Sequence, residues 1–285
     1  MNEDLKVWRG YNQAALDDEY NNQRTVMDYE AIIREWTSAS DEARSGGVSH
    51  PDVVYGQHPR ALLDVYSAPG GGGCVVFFHG GFWRSFDKAG LAFLGPAFNA
   101  AGLSLALPNY PLAPEAQMGR IVQHAIDAVG WVADRAGEFN HDPSKLWVAG
   151  HSAGAHLALM AALSPALRST VAGCCAISGV YDLEPVRLSY LNASLDLDAQ
   201  DVRACSPVTH LTPDLNIIVA VGGRETDEFR RQAADLARGC QAAGARCESI
   251  VLPGADHYET VRSLARPGSA ILASISVAMK ATRIA

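Results

Sequence analysis

Five consecutive residues constrain this chain more than any others: Gly150-His151-Ser152-Ala153-Gly154. They lie between "KLWVAG", which reads as a strand, and "AGAHLALMAAL", which reads as a helix. A turn that passes from strand to helix so abruptly holds its central residue in a strained backbone conformation. It also crowds the positions two before and two after, which must then be small. Ser152 would stand at the top of a sheet, close to the positive end of a helix. On the five residues alone, a glycine-rich turn with an incidental serine is an equally good reading. The strand–turn–helix context selects a nucleophile.

The rest of the chain supplies the sheet that such a turn requires. Apolar runs recur at "ALLDVYSA", "CVVFFHG", "LSLALPNY", "KLWVAGH", "GCCAISG", "NIIVAVGG" and "CESIVLPG", with helix-length segments between several of them. Several runs are apolar at consecutive positions, as strands covered on both faces are. Strand–helix alternation predicts an α/β fold, a mostly parallel sheet with helices on both faces. One helix is defined by Phe229, Ala233, Leu236, Cys240 and Ala243, with Gly244 as its stop. Residues Met1 to about Gly46 read as helical, because Val26, Tyr29, Ile33, Trp36 and Ala43 recur at spacings of three, four, three and seven. The 285 residues could hold two small domains, but no linker or composition break divides them. The expectation is a single domain over 1–285 with 1–46 as a helical extension packed on the sheet.

Composition excludes several classes. With 48% hydrophobic and 19% charged residues the chain is globular in type. A net charge of −8 without a basic stripe argues against nucleic-acid binding. No apolar run reaches the roughly 18 residues of a membrane span. The polar start "MNEDLKVWRGYNQ" has no signal core, so a cytoplasmic protein is expected. Cys74, Cys174, Cys175, Cys205, Cys240 and Cys247 form no CxxC pair and read as free thiols. There is no HExxH, no GxxxxGK[ST] and no GxGxxG after the first strand, so no metal or other cofactor is expected. The partner is a small-molecule substrate, with neither nucleic acid nor membrane, and a homodimer is compatible with the sequence.

A serine hydroxyl needs a base, and the anion it generates needs donors. His79-Gly80-Gly81-Phe82-Trp83 follows the run "CVVFF" and supplies a loop whose Gly80 and Gly81 N–H groups, with that of Ala153, can form an oxyanion hole. His79 reads as a structural residue of that loop. The base is expected at His257, in "LPGADHYET" after the final strand. His151 and His156, adjacent to the turn, are expected to pack. The acid is expected after "NIIVAV", in "GGRETDEF". Thr226 looks like a helix N-cap, which leaves Glu225 in the loop and puts Asp227 in the first turn, where its charge suits the helix dipole. Glu225 is favoured and Asp227 stays the alternative.

With these residues in hand, the chain resembles the α/β-hydrolase superfamily, in the esterase/lipase branch with an HGG loop. Within it, the chain is similar to bacterial kynurenine formamidase-like (arylformamidase-like) proteins. The likeness is carried by "YNQAALDDEYNNQ", "HGGFWRSFDK", "PNYPLAP", "AGHSAGAHLA", "ISGVYDLEPV", "LSYLNASLDL", "RETDEFRRQ" and "DHYETV". It implies the α/β-hydrolase fold and a triad at Ser152, Glu225 and His257, in the chain order of that superfamily. Where Glu225 stands, related enzymes often have Asp. The function implied is hydrolysis of a small aryl formamide such as N-formyl-kynurenine through an acyl-enzyme. A carboxylesterase for short-chain acyl esters is the alternative. A non-catalytic binding protein on the same fold would be expected to lack the serine or the histidine. Phe82, Trp83, Tyr110, Tyr181 and Tyr258 are candidate walls of an aromatic substrate pocket, each with core packing as its competing role.

Overall fold

Eight strands form one sheet in the computed structural model, which describes residues 5–281. They are β1 (His50–Val54), β2 (Leu62–Tyr66), β3 (Cys74–Phe78), β4 (Ser104–Pro108), β5 (Leu146–His151), β6 (Gly173–Ile177), β7 (Asn216–Gly222) and β8 (Arg246–Leu252). Their order is β1-β2-β4-β3-β5-β6-β7-β8. β2 runs antiparallel to both of its neighbours, and every pairing from β4 to β8 is parallel. The helices are α1 (Gln13–Glu19), α2 (Tyr29–Ser45), α3 (Gly95–Ala100), α4 (Met118–Ala133), α5 (Ala153–Leu163), α6 (Glu184–Leu188), α7 (Asn192–Leu195), α8 (Ala199–Cys205), α9 (Asp227–Ala242), α10 (His257–Arg262) and α11 (Ala270–Ala281).

Side chains alternate across the sheet with period two, and each face has its own core. Val76, Phe78, Leu146 and Val148 point to the face covered by α4, α5 and α9. Val75, Phe77, Trp147 and Ala149 point to the face covered by α2, α3, α10 and α11. β3, β4, β5 and β6 are buried along their whole length, which is why they read as unbroken apolar runs. The helix expected around Phe229 is α9, and Gly244 follows it at φ +78°. The edge strand β1 was missed. It is five residues long, contains Pro51, and exposes three of its five residues, so it carries no apolar signal.

The N-terminal section departs from the expected continuous helix. Met1–Asp4, part of that expectation, lie outside the described residues. Helix occupies only α1 and α2 (with a short 3-10 turn at Asn22–Thr25 between them), and Val26 lies before α2 rather than on it. Tyr29, Ile33 and Trp36 do share one face of α2. That face meets Tyr258 and Phe93: the Tyr29 and Trp36 rings lie 5.4 and 6.0 Å from that of Tyr258. All six cysteines are unbridged, and five of them are buried. Among the described residues no helix is long and apolar enough to cross a membrane.

Candidate active site

Each parallel strand ends at the same edge of the sheet, and the residue types that carry chemistry follow those ends. Ser152 follows β5 with φ +57° and ψ −123°, a conformation that costs a non-glycine residue on the order of 1–3 kcal/mol. The turn is held by the Ser152 N–H, which donates to the Ile177 carbonyl at 2.9 Å. The glycines of the turn have no room for a side chain. A Cβ on Gly150 would lie 2.2 Å from the Gly154 oxygen, and one on Gly154 would lie 2.1 Å from the Phe78 oxygen. α5 therefore packs directly against the strands beside it.

Glu225 follows β7, and His257 opens α10 just beyond β8. Glu225 Oε2 lies 2.7 Å from His257 Nδ1, with both side chains almost wholly buried. The other carboxylate oxygen accepts from the Gly222 N–H at 2.7 Å and from the Ser178 hydroxyl at 2.6 Å. Thr260 Oγ1 lies 2.9 Å from Ser178 Oγ and donates to the His257 carbonyl at 2.7 Å. Two donors thus occupy Oε1, which leaves Oε2 to meet the imidazole. Asp227, the alternative acid, points into solvent and pairs with Arg230. Asp256 caps α10, accepting from the N–H groups of Tyr258 and Glu259.

Three further histidines surround this centre, and burial keeps each of them neutral. His151 Nε2 donates to the His257 carbonyl at 2.8 Å, and the two rings lie 4.5 Å apart. Burial pushes its pKa well below the ordinary histidine value, and the neighbouring His257 adds to that. His156 accepts from Trp83 Nε1 through Nδ1 and donates through Nε2 to the Cys205 carbonyl, a pairing only the neutral ring can satisfy. Burial lowers it to about 4. His79 stacks on Tyr110 at 4.3 Å, bonds the Gly80 carbonyl, and is lowered to about 4, again mainly by burial. Among the described residues, no turn or cap bond engages the N–H groups of Gly80, Gly81 and Ala153.

Over these residues lies a cavity of about 350 Å³. Ser152, His151, His257, His79, Gly80 and Gly81 form its floor, and Tyr20, Asn21, Asn22, Gln23, Tyr29, Ile33 and Trp36 of the N-terminal section form its roof. Of the five aromatics expected in a substrate pocket, Phe82 and Tyr258 line this cavity. The other three do not, and each has a packing reason. Trp83 is fully buried and aims its N–H at His156. The Tyr110 hydroxyl donates to the His79 carbonyl at 2.8 Å. The Tyr181 hydroxyl accepts from the Gly179 N–H at 3.1 Å.

A model of the family described as the alpha/beta hydrolase fold matches residues 75–260. The chain belongs to that family. As an α/β hydrolase it has relatives among formamidases and esterases. It is 28% identical to a kynurenine formamidase of Danio rerio over 91% of this chain and 94% of the relative. A crystal structure of a candidate thioesterase from a Silicibacter species is 28% identical, with a TM-score of 0.82 over 92% of this chain and 98% of the other. An esterase of Pyrobaculum calidifontis shares the fold at a TM-score of 0.71 and 21% identity, over 91% and 96% of the two chains.

Reading the sequence of this α/β hydrolase misses most of its cavity walls. Tyr20, Phe86 and Tyr190 carry no local signal for their position. Tyr29, Ile33 and Trp36 carry a clear helical period, but the period says only that one face is covered, not that part of it borders a void. Ser178 could have been suspected from its position directly after a parallel strand, where it adopts φ +51°.

Proposed function

We propose that this α/β hydrolase cleaves small aryl formamides, of which N-formyl-kynurenine is the representative. The observation that carries the reading is the aromatic-walled cavity of about 350 Å³ above Ser152 and His257, which suits one substituted ring better than a long acyl chain. The full-length similarity to a kynurenine formamidase supports it. Ser152 Oγ attacks the formyl carbon while His257 takes its proton. Glu225 holds the ring by Nδ1 and stabilises the imidazolium that forms. The oxyanion lies against the N–H groups of Gly80, Gly81 and Ala153, the last at the positive end of α5. Collapse of this intermediate breaks the C–N bond, and the proton on His257 goes to the departing arylamine. Water, deprotonated by His257, then attacks formyl-Ser152, and formate leaves with the serine hydroxyl restored.

The second reading, an esterase of short acyl groups, is favoured by the likeness to the candidate thioesterase. Comparing kcat/KM for N-formyl-kynurenine and p-nitrophenyl acetate decides between them. The formamide reading expects the formamide to win despite its poorer leaving group, and a preference for the activated ester by more than a hundredfold would favour the second.

A further inference from the structure

We propose that Arg84 is a specificity-determining residue that binds a carboxylate on the substrate, so that the preferred aryl formamides are acidic ones. This rests on the aryl-formamide reading and names the part of the molecule distant from the formyl group. Arg84 lies on the loop that follows the two oxyanion glycines, and among the described residues it is the one arginine or lysine that lines the cavity. The cavity's other charged wall residue, Asp87, is already engaged: it accepts from Asn109 at 2.6 Å and pairs with Arg60 at 3.5 Å. Arg84 has no carboxylate within ion-pair distance among the described residues, in a chain of net charge −8. Arg187 and Arg231, by contrast, each hold a glutamate at 2.7–2.8 Å.

The guanidinium is nevertheless held in place. It lies 5.7 Å from the centre of the Tyr190 ring, and Nη1 donates to Ser194 Oγ at 3.3 Å. Tyr190 lines the same cavity, and its hydroxyl is tied to the Tyr20 carbonyl of the roof. A nearby aromatic ring and neutral hydrogen-bonding partners, the Ser194 and Tyr190 hydroxyls, orient a guanidinium without neutralising it. Most of its five N–H donors stay free for a planar, two-point contact with a carboxylate. A neutral ring gains at most a face contact from this group, and a cationic one is repelled by its charge.

Kynurenine and kynuramine, which differ only in the carboxylate, separate the possibilities when titrated calorimetrically into the wild type and Arg84→Ala. The substitution is expected to weaken kynurenine roughly ten- to hundredfold and to move kynuramine less than threefold, the size of a lost charge-assisted contact. Arg84→Lys, which keeps the charge but loses the fork, should fall between. In turnover of N-formyl-kynurenine the loss should appear in KM and leave kcat within about threefold, as for uniform binding. Equal effects on the two ligands, no effect on either, or a wild type that fails to prefer kynurenine would each overturn the proposal. A wild type that prefers kynurenine yet hydrolyses no formamide would instead overturn the formamidase reading and leave the carboxylate site standing.

Discussion

The floor and the roof of the cavity are built on different physical terms. Floor residues and the groups that support them are placed by the backbone: Gly80 follows β3, Ser152 follows β5 and His257 lies just beyond β8, while Ser178 and Glu225, behind the floor, follow β6 and β7. Parallel pairing fixes where those strands end, and turns without room for a Cβ fix what comes next. The roof has no sheet to place it. It is held by side chains: Thr226 Oγ1 donates to the Glu19 carbonyl, the Glu228 N–H donates to the Glu19 carboxylate, and buried Glu228 accepts from the Tyr20 hydroxyl and the Trp8 indole. A floor set by strand ends and glycine turns is fixed by the backbone, whereas the position of the roof depends on individual side-chain contacts. Substitutions in the floor should therefore act on kcat, and substitutions in the roof on stability and ligand choice.

The largest expected effect tests the floor directly. Ser152→Ala should lower kcat on the order of 10⁴ to 10⁶ with the urea midpoint nearly unchanged, because alanine keeps the Cβ and the backbone strain at φ +57° and no packing contact is lost. An alanine variant keeping a tenth of the wild-type rate would remove Ser152 from the chemistry. Next, Glu225→Gln should cost about 10⁴ in kcat, whereas Asp227→Asn, exposed and paired only with Arg230, should stay within about threefold. A crippled Asp227→Asn beside an active Glu225→Gln would mean that the buried contact is structural only.

The third expectation concerns the neutral histidines in the floor and His156 in the core beneath it. His79 and His156 are lowered from an unfolded value near 6.5 to about 4, and burial also holds His151 well below that unfolded value. A group whose pKa is depressed by folding contributes its full stability above the unfolded value and loses it as the pH falls toward the folded one. Stability should therefore be level above about pH 7 and decline between about pH 6.5 and 4, by roughly 2 kcal/mol per ring at pH 5. His156→Gln should flatten part of that slope in urea titrations at pH 7 and 5. An unchanged slope would show that His156 is not among its causes. The smallest effect belongs to the roof. Tyr20→Phe removes a buried hydroxyl shared by Glu228 and Gln232 and should cost about 1–2 kcal/mol. It should leave kcat for N-formyl-kynurenine within a few fold, and a drop beyond a hundredfold would show that roof and floor are not separable.

The same division explains what the sequence makes legible. Strand periodicity, the G-H-S-A-G spacing and the chain order of serine, carboxylate and histidine are local or ordinal signals, and the contact between Glu225 and His257 could be anticipated from them. The direction of a large side chain is not a local signal. Phe82 and Trp83 are neighbours with nearly the same positive φ, +48° and +57°, yet one faces the cavity and the other the core. What separates them is His156, seventy-three positions away, which offers the indole an acceptor. Thr226 shows the same limit on a smaller scale. It occupies the N-cap position of α9 as expected, but its hydroxyl serves Glu19, and it is the Glu19 carboxylate that caps the helix.

That exchange of caps bears on how this enzyme could be re-engineered. Glu19 closes the end of a helix that begins two residues after Glu225, so the roof is no detachable module. Replacing residues 5–45 with a segment that lacks Trp8, Glu19 and Tyr20 would leave the Glu228 N–H uncapped and a buried glutamate without two of its donors. A graft intended to change only the range of accepted substrates would have to carry the start of α9 with it.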